Sequence, residues 1–218
     1  MSSPWDLPEV VAALSRDKRL AKLIRQAGPC TMQPEKMHSS FHALARAIVY
    51  QQLSGKAAET IFRRVAALYP KRKYLKPDDI AGTPDEAMRA AGMSRAKVAA
   101  IKDLAAKALD GTVPSVARLQ KMNDADILSH LMQVRGIGPW TVEMLLMFRL
   151  ARPDVLPVSD LGVRRGFMLT YGKPEMPAPA ELLEHGERWR PYRSIASWYL
   201  WRAVDLERQT AVNGRKTS

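Results

Sequence analysis

The stretch Leu131-Met-Gln-Val-Arg-Gly-Ile-Gly-Pro-Trp-Thr-Val-Glu143 carries two helical patterns joined by Gly136-Ile137-Gly138. Two glycines one residue apart allow a turn tight enough for an outside surface to reach the backbone. Pro139 then sits at a first helical position, where its missing N–H costs nothing. The free N–H groups and the dipole at that helix start point toward the same surface, a geometry suited to a phosphate. Such a contact reads the backbone of a nucleic acid and not its base edges. An ordinary glycine-containing turn between two helices would satisfy the same pattern.

Outward from this turn, helical periodicity dominates and alternating strand patterns are scarce. Over residues 41–50, Phe41, Leu44, Ala45, Ile48 and Val49 share one face. Residues 56–68 repeat this with Ala58, Ile61, Phe62, Val65 and Leu68, before Pro70 stops the pattern. Ser94 reads as the N-cap of a helix over 95–109, closed by Asp110-Gly111. Further helices are expected from Asp124 and over 140–148, 160–171, 178–186 and 193–206. The expectation is an all-α chain of roughly nine or ten short helices. No repeat of 20–50 residues is visible, which disfavours a solenoid.

Composition narrows the partner. The 218 residues are 46% hydrophobic and 26% charged, enough to bury a core. Thirty-four Lys and Arg against 22 Asp and Glu leave a net charge of +12, a field that attracts polyanions. The single cysteine, Cys30, excludes an internal disulfide, a four-cysteine cluster and a cysteine-based zinc finger, and it suits a reducing cytoplasm. Four scattered histidines (His38, His42, His130, His185) offer no transition-metal set. Residues 1–6 lack the features of a signal peptide, and no window has the apolar length of a membrane span. Lys71-Arg72-Lys73 reads either as a solvated loop or as a phosphate contact.

Downstream lies Val155-Leu-Pro-Val-Ser-Asp160-Leu-Gly-Val-Arg-Arg-Gly166. Asp160 follows a proline-containing loop and precedes a helix, so an N-cap would account for it fully. The functional reading is a carboxylate held at the mouth of a cleft, facing whatever the hairpin has docked.

Together these stretches resemble the helix-hairpin-helix DNA glycosylase superfamily, and within it the alkyladenine branch of bacterial 3-methyladenine DNA glycosylase II. Four blocks carry the resemblance: Gln51-Gln-Leu-Ser54; Gly92-Met-Ser-Arg-Ala-Lys97; the hairpin through Thr141 with Asp160-Leu-Gly-Val-Arg-Arg165; and Trp189-Arg-Pro-Tyr-Arg-Ser194 leading to Trp201. They run from about residue 40 to residue 205, and an aspartate 22 residues past the second hairpin glycine is the most specific among them.

The resemblance implies two helical lobes with the lesion pocket in a cleft between them. Residues 36–149 would form a six-helix lobe ending in the hairpin. Residues 1–35 and 150–212 would form the other, leaving a basic tail over 213–218. The bacterial type also has an N-terminal β domain, for which this sequence has no room; a shorter, yeast-like layout with a reduced DNA footprint is expected.

Residue by residue, the resemblance places Gly136, Gly138 and the Thr141 amide at a DNA phosphate. Gln51 to Ser54 matches the wedge that fills the gap left by an extruded nucleotide, with Gln52, Leu53 and Ser54 against DNA. The carbonyls of Met132, Val134 and Ile137 match positions that hold a monovalent or hydrated cation, a hard ion that needs no side-chain ligand. No cofactor is required. Position 140 separates chemistries: strand-cleaving relatives carry a lysine there whose amine forms a Schiff base. Trp140 cannot do this, and the cysteine cluster of several such relatives is also missing. A monofunctional enzyme using water is implied, with Trp140, Trp201 and Met144 lining the base pocket. Trp140 offers a π face to a cationic alkylated purine; Met144 stands where the bacterial enzyme has a tyrosine. Trp5, Trp189 and Trp198 read as core.

The expected activity is excision of flipped, alkylated bases from double-stranded DNA. An alkylated purine already carries positive charge and leaves without a dedicated acid, so no second catalytic carboxylate is required. Asp160 would stabilise the oxocarbenium-like sugar and deprotonate the attacking water. A monomer without membrane association is expected, cytoplasmic at the nucleoid, or nuclear in a eukaryote. The rival readings are a non-catalytic hairpin DNA-binding module and a mismatch or oxidised-purine glycosylase. The absent lysine and cysteines weigh against the second.

Overall fold

A computed structural model describes residues 5–216 and contains thirteen α-helices, with no strand among the described residues. In chain order they are α1 (Pro8–Leu14), α2 (Lys18–Ala27), α3 (Ser40–Tyr50), α4 (Gly55–Ala67), α5 (Pro77–Gly82), α6 (Asp85–Ala90) and α7 (Arg95–Leu109). There follow α8 (Val116–Lys121), α9 (Asp124–Leu131), α10 (Pro139–Phe148), α11 (Leu161–Tyr171), α12 (Pro179–Gly186) and α13 (Arg193–Lys216). The helices beyond the expected number include α5, α6 and α8, each six residues long. Fewer than two turns cannot display an apolar period. No helix among the described residues is long and apolar enough to cross a membrane.

The chain divides into two compact units, Lys36–Val142 and Met1–Glu35 with Glu143–Ser218. The division falls inside α10, seven residues before the lobe boundary expected at 150. The end of α10 is tied to the first segment: Glu35 N–H donates to the Phe148 carbonyl at 2.8 Å, and Arg149 pairs with the Glu35 carboxylate at 2.7 Å. The last helix runs to Lys216, ten residues past the expected Leu206 and through most of the expected tail; good helix formers such as Glu207, Arg208 and Gln209 give no reason to stop. Thr217 and Ser218 of that tail, and Met1–Pro4 of the stretch read for a signal peptide, lie outside the described residues.

In the Lys36–Val142 unit, α7 packs against α3 and α5, and α4 packs against α3. Ile101, Leu104 and Ala105 of α7 are buried, as are Leu44, Ile48 and Ile80. Each fully buried leucine or isoleucine side chain of this kind contributes about 1.5–3 kcal/mol. Ser94 caps α7 by accepting the Lys97 N–H.

In the other unit, α13 packs along α11, and α2 packs against both. Gly166 makes the α11–α13 approach close: a Cβ there would lie 1.9 Å from the Leu200 carbonyl oxygen. Trp189 and Trp198 are core residues, as expected, whereas Trp5 is only half-buried. Asp17 caps α2 through the N–H groups of Arg19 and Leu20 and also accepts from the Tyr171 hydroxyl at 2.5 Å, joining α2 to α11.

Candidate active site

The hairpin is built in the Lys36–Val142 unit. Helix α9 ends at Leu131, and the backbone turns through Gly136 with φ of 78°, a left-handed conformation that favours glycine. Asp103 of α7 anchors the turn by accepting the Arg135 N–H at 2.7 Å. Burial pushes the Asp103 carboxyl up, but the Arg135 N–H and Lys107 outweigh it and hold the group below the usual carboxylate range. Gly136 is exposed and Gly138 partly so. Thr141 is buried, and its N–H donates to the Gly138 carbonyl at 3.1 Å inside the first turn of α10. Of the three expected phosphate contacts, that amide is therefore already engaged. The Val134 carbonyl accepts the Ile137 N–H, which leaves it one further lone pair for a cation. Met132 is exposed at the end of α9, and Ile137 is buried in the turn.

The Gln51–Ser54 turn joins the same structure. Gln51 Nε2 donates to the Gly136 carbonyl at 2.8 Å. Lys97 Nζ donates to the Val49 and Gln51 carbonyls, both at 2.7 Å, closing the end of α3. Burial lowers the Lys97 pKa. Three of the four blocks singled out in the sequence thus meet through hydrogen bonds. Gln52 holds a φ of 57°, rare for a side-chain-bearing residue, and Gln52, Leu53 and Ser54 are all exposed. The Lys71 cluster is partly neutralised: Arg72 pairs with Asp79 at 2.7 Å.

Asp160 lies in the other unit at the N-terminus of α11. Its Oδ1 accepts the Val163 N–H at 2.8 Å and the Trp201 indole N–H at 2.9 Å. The cap is real, and the same oxygen is held by an aromatic residue of α13. Gly162 permits this, since a Cβ there would lie 2.8 Å from Trp201 Cδ1 and 3.1 Å from Asp160 Oδ1. Trp201 also stacks on Phe148, with ring centroids 5.9 Å apart.

The loop that delivers Asp160 is gripped by the start of α13. Arg193 Nε donates to Asp154 Oδ1 at 2.7 Å, and its Nη2 reaches the Asp154 carboxylate and carbonyl. The Ser194 hydroxyl donates to the Arg152 carbonyl at 2.7 Å and accepts the Val155 N–H at 3.0 Å. The Trp189–Ser194 block is thus a clamp on residues 152–155. That role depends on partners 39 to 42 residues away and had no local signal.

Trp140 is 46% exposed in the first turn of α10. Met144 is part-buried one turn later, so the two share a helix face. Between them stands Glu143, the single charged residue of α10 and one that sequence reading passed over. A lone carboxyl in an otherwise apolar helix was the signal available. Burial, and then the Asp160 charge, push its pKa up to about 7.

The profile of the HhH-GPD superfamily base excision DNA repair proteins matches residues 45–191. DNA-3-methyladenine glycosylase 1 of Schizosaccharomyces pombe is 35% identical over 87% of this chain and 82% of its own length. Its solved structure in complex with abasic DNA superposes with a TM-score of 0.75 at 34% identity, covering 89% of this chain and 95% of that one. A Bacillus halodurans DNA-3-methyladenine glycosidase superposes with a TM-score of 0.81 at 37% identity, over 91% and 89% of the two chains. With a hairpin, a helix-capping aspartate and a matching profile across two thirds of its length, this chain belongs to the HhH-GPD superfamily of base excision DNA repair proteins.

Proposed function

We propose that this protein removes alkylated bases of the 3-methyladenine type from double-stranded DNA by hydrolysing the N-glycosidic bond, leaving an abasic site. The observation that carries the reading is Asp160, capping α11 and held by Trp201, in a chain 35% identical to a 3-methyladenine glycosylase. The turn with exposed Gly136 and partly exposed Gly138 and the exposed Gln52, Leu53 and Ser54 are the surfaces offered to DNA. The basic surface adds affinity without sequence preference. The base is flipped and meets Trp140, Met144 and Trp201, where a cationic purine gains from the π faces.

As the C1′–N bond lengthens, positive charge gathers on the sugar and the bonding electrons pass to the base. The Asp160 carboxylate stabilises that charge and takes a proton from the water that attacks C1′. The two donors on Oδ1 fix the carboxylate before substrate arrives. Trp140 has no amine, so no Schiff base forms and the strand stays intact. No step passes through a cation at the hairpin. The protein would act as a monomer wherever the genome lies, in a nucleoid or a nucleus.

The test is incubation of the pure protein with methylated duplex DNA, followed by identification of released bases. Release of 3-methyladenine is expected. A non-catalytic module would bind the same DNA and release nothing.

A further inference from the structure

Glu143 has no part in the chemistry above. Its Oε2 is buried and has no hydrogen-bond partner among the described residues. Burial of that oxygen costs a charged carboxylate more than it costs the neutral acid. Asp160 is the ionisable group whose charge reaches it, and a second negative charge beside the first is disfavoured. Placement adds a second line. Glu143 lies three residues after Trp140 and immediately before Met144, on the turn of α10 that presents the proposed base-contacting residues.

We propose that Glu143 is a second catalytic carboxyl group, held as the acid, that protonates uncharged purines as they leave. The proposal rests on the base-excision reading and extends its substrate class from cationic alkylpurines to neutral bases such as hypoxanthine. A cationic base leaves as a neutral molecule unaided, but a neutral base would leave as an anion. In the proposed step the C1′–N9 bond breaks and its electron pair goes to the purine. The Glu143 proton passes to a ring nitrogen, and water adds to C1′ while losing a proton to Asp160. Asp160 then gives up its proton to solvent, and solvent returns a proton to Glu143. The step needs Glu143 as the acid, and its burial and the Asp160 charge both favour that form.

The test compares single-turnover release from duplexes carrying 7-methylguanine or hypoxanthine, using the wild type and Glu143→Gln between pH 6 and 8.5. Glutamine keeps the shape and an N–H donor but has no acid proton. Wild-type hypoxanthine release should fall as pH rises through about 7, while 7-methylguanine release should show no such fall. Glu143→Gln should lose about 100-fold on hypoxanthine, the scale of general acid catalysis. It should also lose the pH dependence and stay within about threefold of wild type on 7-methylguanine. Equal losses on both bases, a pH dependence that survives the substitution, or a wild type that releases 7-methylguanine but no hypoxanthine would each overturn the proposal. A wild type that releases neither base would overturn the base-excision reading itself.

Discussion

The indole N–H of Trp201 donates to Asp160 Oδ1 at 2.9 Å, across 41 residues of sequence. It shares that oxygen with the Val163 N–H that begins α11. A hydrogen bond to a charged acceptor contributes about 1.5–3 kcal/mol. Trp201→Phe keeps a ring against Phe148 but removes the donor. Excision should slow about tenfold or more while DNA affinity stays close to wild type. An unchanged single-turnover rate would show that the indole does not position the carboxylate.

Gly162 and Gly166 lie one turn apart on α11 and support this bond in different ways. A methyl at 166 would meet backbone, 1.9 Å from the Leu200 carbonyl oxygen, so α11 and α13 would have to separate. Gly166→Ala should cost about 3 kcal/mol, read by denaturant unfolding. A methyl at 162 meets the edge of the Trp201 indole, which can turn aside. Gly162→Ala should therefore cost less stability than Gly166→Ala yet still slow excision. Equal stability losses at the two positions would remove the distinction.

These glycines also mark the limit of what could be read from the sequence. The hairpin, the helix after Pro139 and the cap at Asp160 each rest on neighbours within a few residues, and each was legible. Gly162-x-x-x-Gly166 has the spacing of a close helix crossing, but nothing local identifies α13 as the partner. Arg193 and Ser194 were noticed only through resemblance, because their grip on residues 152–155 exists only after folding. Helices as short as α5 and α8 have too few turns to show a period.

Trp140 decides the product. Wild-type protein should leave an abasic strand that is cut only by hot alkali, with no borohydride-trapped complex. A trapped adduct would establish an amine nucleophile elsewhere. Trp140→Ala should lose about 1–3 kcal/mol of transition-state binding by loss of stacking. The loss should be larger for charged bases than for neutral hypoxanthine, since only the former gain cation–π attraction. Equal losses would end the cation–π account.

Asp17 supplies a pH-dependent part of stability. Burial pushes its carboxyl up, but hydrogen bonds from Tyr171, Leu20, Trp189 and Arg19 outweigh burial and hold it below the usual carboxylate range. A carboxyl lowered on folding stabilises the native state above its unfolded pKa, and loses that effect as pH falls through the folded value. Asp17→Ala should cost about 2 kcal/mol at pH 7, through the lost cap and the orphaned Tyr171 hydroxyl. The gap from wild type should narrow below pH 3. A gap that is constant down to pH 2 would separate Asp17 from acid stability.

The central claim is that the negative charge of Asp160, and not merely its cap, drives base release. Asp160→Asn keeps an oxygen able to accept the Val163 and Trp201 N–H groups and removes only the charge. Single-turnover release of 3-methyladenine from methylated duplex DNA should fall by at least about 1,000-fold, the scale of a lost electrostatic stabiliser, with melting temperature and DNA affinity nearly unchanged. Excision close to the wild-type rate would leave Asp160 as a helix cap alone and contradict the mechanism.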